Sequence, residues 1–397
     1  MILISNLQIY REDGTIEHVK ALAFNRTASS TGETEALQYI EKELKDSNIK
    51  SEIEYFDWTG PMRILMRTSY VLILILFLLF RLFLVVIAFF IIKAMFEKTR
   101  EVSFVKKEES KNLFAQISAK ERKPNRPLVI FSAHYDSIST NLPYKLQVVI
   151  FFIYRLIVYF YALIIILFFL VFIFDYFDIV PLTNFTVLLI TFTSVGGVFV
   201  SIPIVYLVFV ERPSSGSIDN ASGVAILIEM AKFIKRNPFE NIDVLFLWFG
   251  AEEWGLKGSK SFCDQYYKIL KQNYDLDKSL NINLDMVGTY IGLLNKSGIF
   301  RRKINKNFND ILEASANQLK ISIRKHNKII SPKSDYKSFK KFARKTRSKF
   351  QVSCFLSSKD SKYIHSLRDT PDKCSVENLN GCLNICYHAL KSIDSNN

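Results

Sequence analysis

Two hydrophobic patterns run along the chain. In the first, short apolar runs alternate with stretches of helical period. Residues 33–47 (ETEALQYIEKELKDS) set Ala36, Ile40 and Leu44 at fourfold spacing with Leu37 alongside. That spacing predicts an amphipathic helix, with Ser30 or Thr31 as its cap. Residues 49–58, 112–119 (NLFAQISA) and 127–133 (PLVIFSA) read as strands, the last running into His134-Tyr135-Asp136-Ser137. Residues 221–234 predict a helix with Asp219-Asn220 at its amino end. The stretch 243–255 (DVLFLWFGAEEWG) begins as a large apolar run, which suits a strand buried on both faces. It then breaks into a turn carrying Glu252 and Glu253. Beyond it the pattern predicts a helix near 260–271, a strand at 279–286 ending in Asp285 and a helix near 307–318. A short strand, a Lys-rich helix, a strand at 350–356 and a last helix near 377–393 complete the chain. Strands alternating with helices argue for an α/β sandwich.

The second pattern is apolar throughout. Residues 68–92 carry a single charge, Arg81; residues 147–174 carry only Arg155; residues 183–210 carry none and contain Pro203. Each block exceeds the ~20 apolar residues that a membrane-spanning helix needs. The organisation expected is therefore a catalytic domain in three pieces (1–62, 97–146 and 211–397). They are interrupted by a membrane insertion at 63–96, re-entrant or spanning, and a transmembrane helical hairpin at 147–210.

Composition sharpens this picture. The 397 residues are 49% hydrophobic, with 34 Phe and a mean hydropathy of +0.13, high for a soluble enzyme. The formal net charge is +14, with basic runs at 301–303 (RRK) and 337–349 (KSFKKFARKTRSK). Such surfaces face nucleic acid or anionic lipid. Beside apolar blocks in the same chain a lipid bilayer is the more economical partner, and no nucleic-acid partner is expected. A solvated basic face is the plain alternative. The five cysteines are odd in number and lack paired metal spacing, so Cys382 and Cys386, four apart on a helix, read as core residues.

The candidate chemistry sits where strands end. His134, Asp136, Asp219, Glu252, Glu253, Asp285 and His365 all fall at strand ends or in the loops after them. The carboxyl ends of strands in an open α/β sheet are where ligands bind. Two imidazoles and several carboxylates form a donor set for a borderline cation such as zinc. His134 and Asp136, two apart on extended chain, share a side, which lets Asp136 accept the second ring N–H and fix the tautomer. His18, His326 and His388 belong to no such group and read as surface or packing residues.

Taken together, AHYDS at 133–137, DNASG at 219–223, GAEEWGLKGS at 250–259, NLDMVG at 283–288, SDYKSF at 334–339 and YIHSLRDTPDK at 363–373 resemble the co-catalytic two-zinc aminopeptidases, whose relatives include glutamate carboxypeptidase and the glutaminyl cyclases. The resemblance covers nearly all of the chain outside the apolar blocks. It implies a three-layer α/β/α sandwich with a mixed central sheet, to which this chain would add inserted transmembrane helices. It implies two Zn2+, with His134 and Asp285 on one, Glu253 and His365 on the other, and Asp219 bridging through a residue whose bond to Asn220 is often cis in relatives. Glu252 would be the general base toward a zinc-activated water, and Asp136 would orient His134. The substrate would be a peptide cleaved at its amino terminus. Tyr336 departs from the pattern, standing where many relatives carry His.

Charge also predicts sidedness. Arg63 and Arg67 precede the first block, and Lys93, Lys98 and Arg100 follow it; Lys145 and Arg212 flank the hairpin, whose turn holds Asp175 and Asp178 but no Lys or Arg. Positive flanks stay cytoplasmic, so the catalytic domain is expected on the cytoplasmic face, its site opening near the membrane surface. Hydrolysis of another amide, cyclisation of amino-terminal glutamine, and a catalytically silent membrane scaffold are the alternatives. Oligomeric state has no signature in the sequence.

Overall fold

The computed structural model describes residues 10, 12–59, 107–121, 123–138, 146–154 and 214–395, with isolated positions between 156 and 202. The chain divides into two compact units, one of residues 1–58, 109–139 and 212–397, the other of residues 59–108 and 140–211. Among the described residues no helix is long and apolar enough to cross a membrane. The block 68–92, and most of 147–174 and 183–210, lie outside those residues, so the expected membrane segments fall there. Described positions within the blocks include a helical stretch at 146–154, and several carry exposed large apolar side chains, such as Phe152, Tyr159, Leu163, Leu188, Phe192 and Phe199.

The first unit is built on a nine-stranded mixed sheet. Its strands are β1 (Ser51–Trp58), β2 (Glu108–Ile117), β3 (Leu128–His134), β4 (Asp243–Phe249), β5 (Leu280–Leu284), β6 (Ile291–Ser297), β7 (Arg302–Lys303), β8 (Ile323–Lys328) and β9 (Gln351–Phe355). The order is β1-β2-β4-β3-β5-β9-β6-β7, with β8 paired to β6. The centre, β4-β3-β5-β9, is parallel, and β2 and β6 run antiparallel to it on either side. Register brings the carboxyl ends level: His134 faces Phe249, and Leu284 faces Phe355.

Every residue of β3, β4 and β5 is buried. Parallel strands must be covered on both faces, since their crossovers put helices there. Two helix groups do this. One comprises α1 (Gly14–Ala21), α2 (Thr31–Asp46), α3 (Ser222–Arg236), α5 (Phe308–Gln318) and α7 (Val376–Asp394). The other comprises α4 (Lys257–Asn273) and α6 (Tyr336–Thr346), packed on each other. The helix at 31–46 follows its pattern, burying Ala36, Leu37, Ile40 and Leu44; Ser30 is its cap, accepting from the Glu33 N–H. The expected strand at 49–58 begins at Ser51 and neighbours β2 in the sheet.

Three elements were not legible in the periodicity. α1 is only eight residues long with a weakly sided pattern, and β6 is apolar for its first half alone, ending in Asn295-Lys296-Ser297. β7 has only two residues, both exposed. Cys382 and Cys386 are buried and free on α7, as are the other three thiols elsewhere. His18 is a packing residue, buried between the Tyr39 hydroxyl at 2.6 Å and Glu229 at 2.8 Å.

Candidate metal centre

Three central strands place site residues at their carboxyl ends. His134 is the last residue of β3, Glu252 and Glu253 lie three and four residues beyond β4, and Asp285 directly follows β5. Asp219 stands just before α3, joined to Asn220 by a cis peptide bond. The Asn220 amide donates to the Leu284 carbonyl at 2.9 Å and accepts from the Met286 and Gly223 N–H groups, tying this corner to the end of β5. Ala251, Met286 and His365 hold left-handed backbone at φ 51°, 70° and 55°. Side chains with a Cβ pay about 1–3 kcal/mol for such strained geometry, which clusters at functional sites.

The side chains form two trios that share Asp219. His134 Nε2 lies 3.1 Å from Asp219 Oδ1 and 3.8 Å from Asp285 Oδ1. His365 Nε2 lies 3.3 Å from the other oxygen, Asp219 Oδ2, and 3.1 Å from Glu253 Oε1. Donor atoms of His134, Asp219 and Glu253 all fall within 4.8 Å of one another. The structure thus brings together all five residues that the sequence grouped as ligands.

Asp136 lies beside His134 and also holds the acidic turn. Its carboxylate oxygens accept the backbone N–H groups of Glu252 (3.0 Å) and Glu253 (3.2 Å). The His134 Nδ1 is nearer to the Asp136 main-chain carbonyl, at 3.1 Å, than to the carboxylate, at 3.5 Å. Asp136 therefore shapes the acidic turn as well as lying beside the imidazole. Two hydrogen bonds from fixed amides outweigh one longer ring contact, because a charged acceptor gains most from donors at ideal distance.

Burial opposes charge on both imidazoles, yet the surrounding acids, Glu252 foremost for His134 and Glu253 for His365, hold both pKa values above the ordinary range. Burial alone would raise the Asp219 carboxyl; hydrogen bonds from His134 and His365 hold it below that range instead. Glu253 Oε1 is buried, 3.1 Å from His365 Nε2. Two imidazoles ringed by Asp219, Glu253 and Asp285 suit divalent cations bound between them. Oxygen and nitrogen donors with no sulfur fit zinc and its harder neighbours.

Glu252 belongs to neither trio. Burial pushes its carboxyl well above the ordinary value; His134 draws it back, while Asp335, Glu253 and Asp285 push it higher. Three further residues were not singled out by the sequence. Asp335 is fully buried, and burial moves its carboxyl up to about 7. Asp369 accepts the Ile218 N–H at 2.6 Å and the Asp219 N–H at 3.3 Å. Arg26 is wholly buried beneath the same loops. The first two lie inside the quoted motifs and had that much signal; Arg26, in the polar loop NRTASS, had none. Tyr336 is buried, its hydroxyl 2.8 Å from Ser331 Oγ and donating to the Pro332 carbonyl.

Residues 199–390 match peptidase family M28, a span that holds Asp219, Glu252, Glu253, Asp285 and His365. The match takes in a little under half of the chain. Aminopeptidase YwaD of Bacillus subtilis is 43% identical over 77 residues, which make up 19% of this chain and 16% of that protein. The aligned part therefore spans about a sixth of that curated relative. Among solved structures, the aminopeptidase from Aneurinibacillus sp. strain AM-1 superposes with a TM-score of 0.57 at 15% identity, over 95% of this chain and 92% of that one. The Bacillus subtilis zinc aminopeptidase BSAP gives 0.55 at 12% identity, over 97% and 96%. At those identities the two structures establish a shared fold, a mixed α/β sheet, and leave the chemistry to be argued from this chain's own residues.

Proposed function

We propose that the chain is a membrane-anchored zinc metallopeptidase that hydrolyses the amino-terminal peptide bond of peptides. One observation carries this reading: the two oxygens of Asp219 each complete a separate trio, His134 with Asp285 and His365 with Glu253. A bridging carboxylate between two sets of terminal donors is the arrangement that a pair of divalent cations requires. When bound, two Zn2+ would supply Lewis acidity, polarising the scissile carbonyl and making water more acidic.

The protein's own groups do the rest. Glu252 is buried beside the trios but spends no oxygen on either, and its raised affinity for a proton suits a general base. It takes a proton from the attacking water and delivers it to the leaving amine. Asp136 fixes the main chain under Glu252 and Glu253, so the base and its neighbouring ligand keep one spacing.

Support for anchoring comes from the three apolar blocks and from the exposed apolar side chains at their described positions. The flanking Arg and Lys residues favour the catalytic unit on the cytoplasmic face. Cleavage of that unit by a protease added only from the outer face would contradict this topology.

Glu252→Gln tests the chemistry. The amide is isosteric but accepts no proton, so kcat should fall about 10²–10⁴-fold with bound zinc unchanged. Undiminished turnover would remove the proposed base. Free and amino-blocked peptides, with cyclisation of glutaminyl peptides assayed in parallel, separate an aminopeptidase from an endopeptidase and from a cyclase.

A further inference from the structure

Residues 140–211 leave the sheet unit between the two motifs that supply His134 and Asp219. The two legs of that excursion are the segment after β3 and the segment before α3. Arg26, far upstream, lies against both. Its Nε donates to the Tyr135 carbonyl at 2.7 Å. Nη1 donates to the Ser215 carbonyl at 2.8 Å and the Phe24 carbonyl at 3.0 Å, and also to the Leu22 carbonyl. Nη2 donates to the Gly216 carbonyl at 2.9 Å. Its main chain joins the first leg reciprocally: the Arg26 N–H donates to Ser137 Oγ at 3.0 Å, and the Ser137 N–H to the Arg26 carbonyl at 3.1 Å.

We propose that Arg26 is a positioning residue that clamps the two legs of the insertion together and so sets the spacing of His134 and Asp219 across the metal site. The inference rests on the two-metal reading for its consequence, though the clamp itself is independent of any metal. Four features support it. Arg26 is 0% exposed, so its guanidinium is invested wholly in these contacts. Its acceptors include main-chain carbonyls of both legs, the first only one residue from His134 and the second three and four residues from Asp219. Gly216, at φ +55°, lets the second leg pass so close that a Cβ there would sit 2.6 Å from the Ser137 Cβ and 2.9 Å from Arg26 Nη2. Asp369 takes the Ile218 and Asp219 N–H groups, so the bridging loop is held by an anion as well as by the Arg26 cation.

A lysine cannot replace this clamp. The guanidinium presents five N–H donors in a fixed planar fork, while an ammonium offers three from one point. Lys at position 26 would leave carbonyls of one leg without their buried donor, yet keep the positive charge among Asp369, Asp136 and Asp219.

The test compares the full chain with Arg26→Lys, Arg26→Ala and the control Leu312→Ala, which trims a buried residue of α5, a helix packed on α7 and β9. Amide exchange is read in metal-free protein at 135–137 and 215–219, and Zn2+ affinity by titration against a chromophoric chelator. Arg26→Lys should exchange at least tenfold faster at both legs and bind zinc at least tenfold more weakly. Leu312→Ala should leave both readouts near wild type, and methylguanidinium should restore part of the zinc affinity of Arg26→Ala. Wild-type exchange at both legs in Arg26→Lys overturns the clamp. Faster exchange with wild-type zinc affinity overturns its role at the site. Should the unmodified chain bind no zinc, the functional reading fails, while the exchange result still decides the clamp.

Discussion

Asp136→Asn separates two roles for one carboxylate. In the native site its two oxygens hold the Glu252 and Glu253 amides at 3.0 and 3.2 Å, and the group is fully buried. Asparagine keeps one acceptor oxygen and turns an NH2 toward the other backbone N–H. One charge-assisted hydrogen bond is lost, a loss of about 1.5–3 kcal/mol, and the N–H left facing a donor adds to it. His134 fares better, because the Asp136 carbonyl, its nearest Nδ1 partner, survives the change. The strain should fall on the acidic turn, where Ala251 already sits at positive φ. Misplacing a catalytic group by about 1 Å lowers rate by about 10²-fold. The expected result is therefore a kcat about 10²-fold lower, a KM within a few-fold of wild type, and zinc affinity little changed. Steady-state kinetics on an aminoacyl amide, with zinc content measured on the same preparation, provide the comparison. If instead zinc affinity falls by about 10–100-fold, as when an imidazole loses its orienting partner, while the loaded enzyme keeps its kcat, the reasoning is refuted and Asp136 acts through His134.

Two further tests probe the frame around the site. Burial raises the Glu33 carboxyl to about 7 against an ordinary 4.5, partly offset by hydrogen bonds from Ser110 and the Ser29 N–H. The folded state thus holds its proton more tightly than the unfolded chain, so stability falls as pH rises from 4.5 to 7 and is flat above. The loss is on the order of 3 kcal/mol. Denaturant melts of wild type and Glu33→Gln should diverge over that window, and a pH-independent difference would refute the assignment. At Gly223 a Cβ would lie 2.5 Å from the Leu284 carbonyl and 2.6 Å from Asn220 Oδ1. Gly223→Ala should destabilise by about 1–3 kcal/mol and weaken zinc binding by disturbing Asp219; unchanged melting would show that the helix start yields freely.

What could be read from the sequence, and what could not, follows a physical line. Strands such as 128–134 and 243–249 announce themselves because burial on both faces forces continuous apolar runs, and the residues at their carboxyl ends then share an edge. His134, Glu253 and Asp285 were legible for that reason. Asp219 and His365 sit in loops whose course periodicity does not reveal; they were grouped with the strand-end candidates, and the resemblance gave them their separate parts in the metal site. Arg26 was missed because an arginine in a polar loop usually faces water. Its burial depends on three carbonyls from distant parts of the chain, Tyr135, Ser215 and Gly216, beside the local ones of Leu22 and Phe24. His18 was rightly set apart from the metal donors, but its bonds to Tyr39 and Glu229 were equally invisible, since they join α1 to α2 and α3. Charge buried by tertiary contact leaves little local trace.

The same physics explains how a long excursion can interrupt the site. Closing a flexible loop costs free energy only as the logarithm of its length, about 0.6 kcal/mol per doubling. Growing a connection from about ten residues to the length of 140–211 therefore adds about 2 kcal/mol at most. Closure, then, is cheap; geometry is the harder requirement, because His134 Nε2 and Asp219 Oδ1 must meet at 3.1 Å from opposite legs. β3 fixes the first leg through its register with β4 and β5. The second leg has no strand to fix it. It depends on Asn220 bonded to the end of β5, Asp369 under the Asp219 N–H, and Arg26 across both legs. A site so held can tolerate almost any insertion beyond Ser139 and before Arg212, provided the residues at its base are kept. Changes at Arg26, Asp369 or Asn220 should consequently be felt at the metal ligands more than changes of equal size within the insertion.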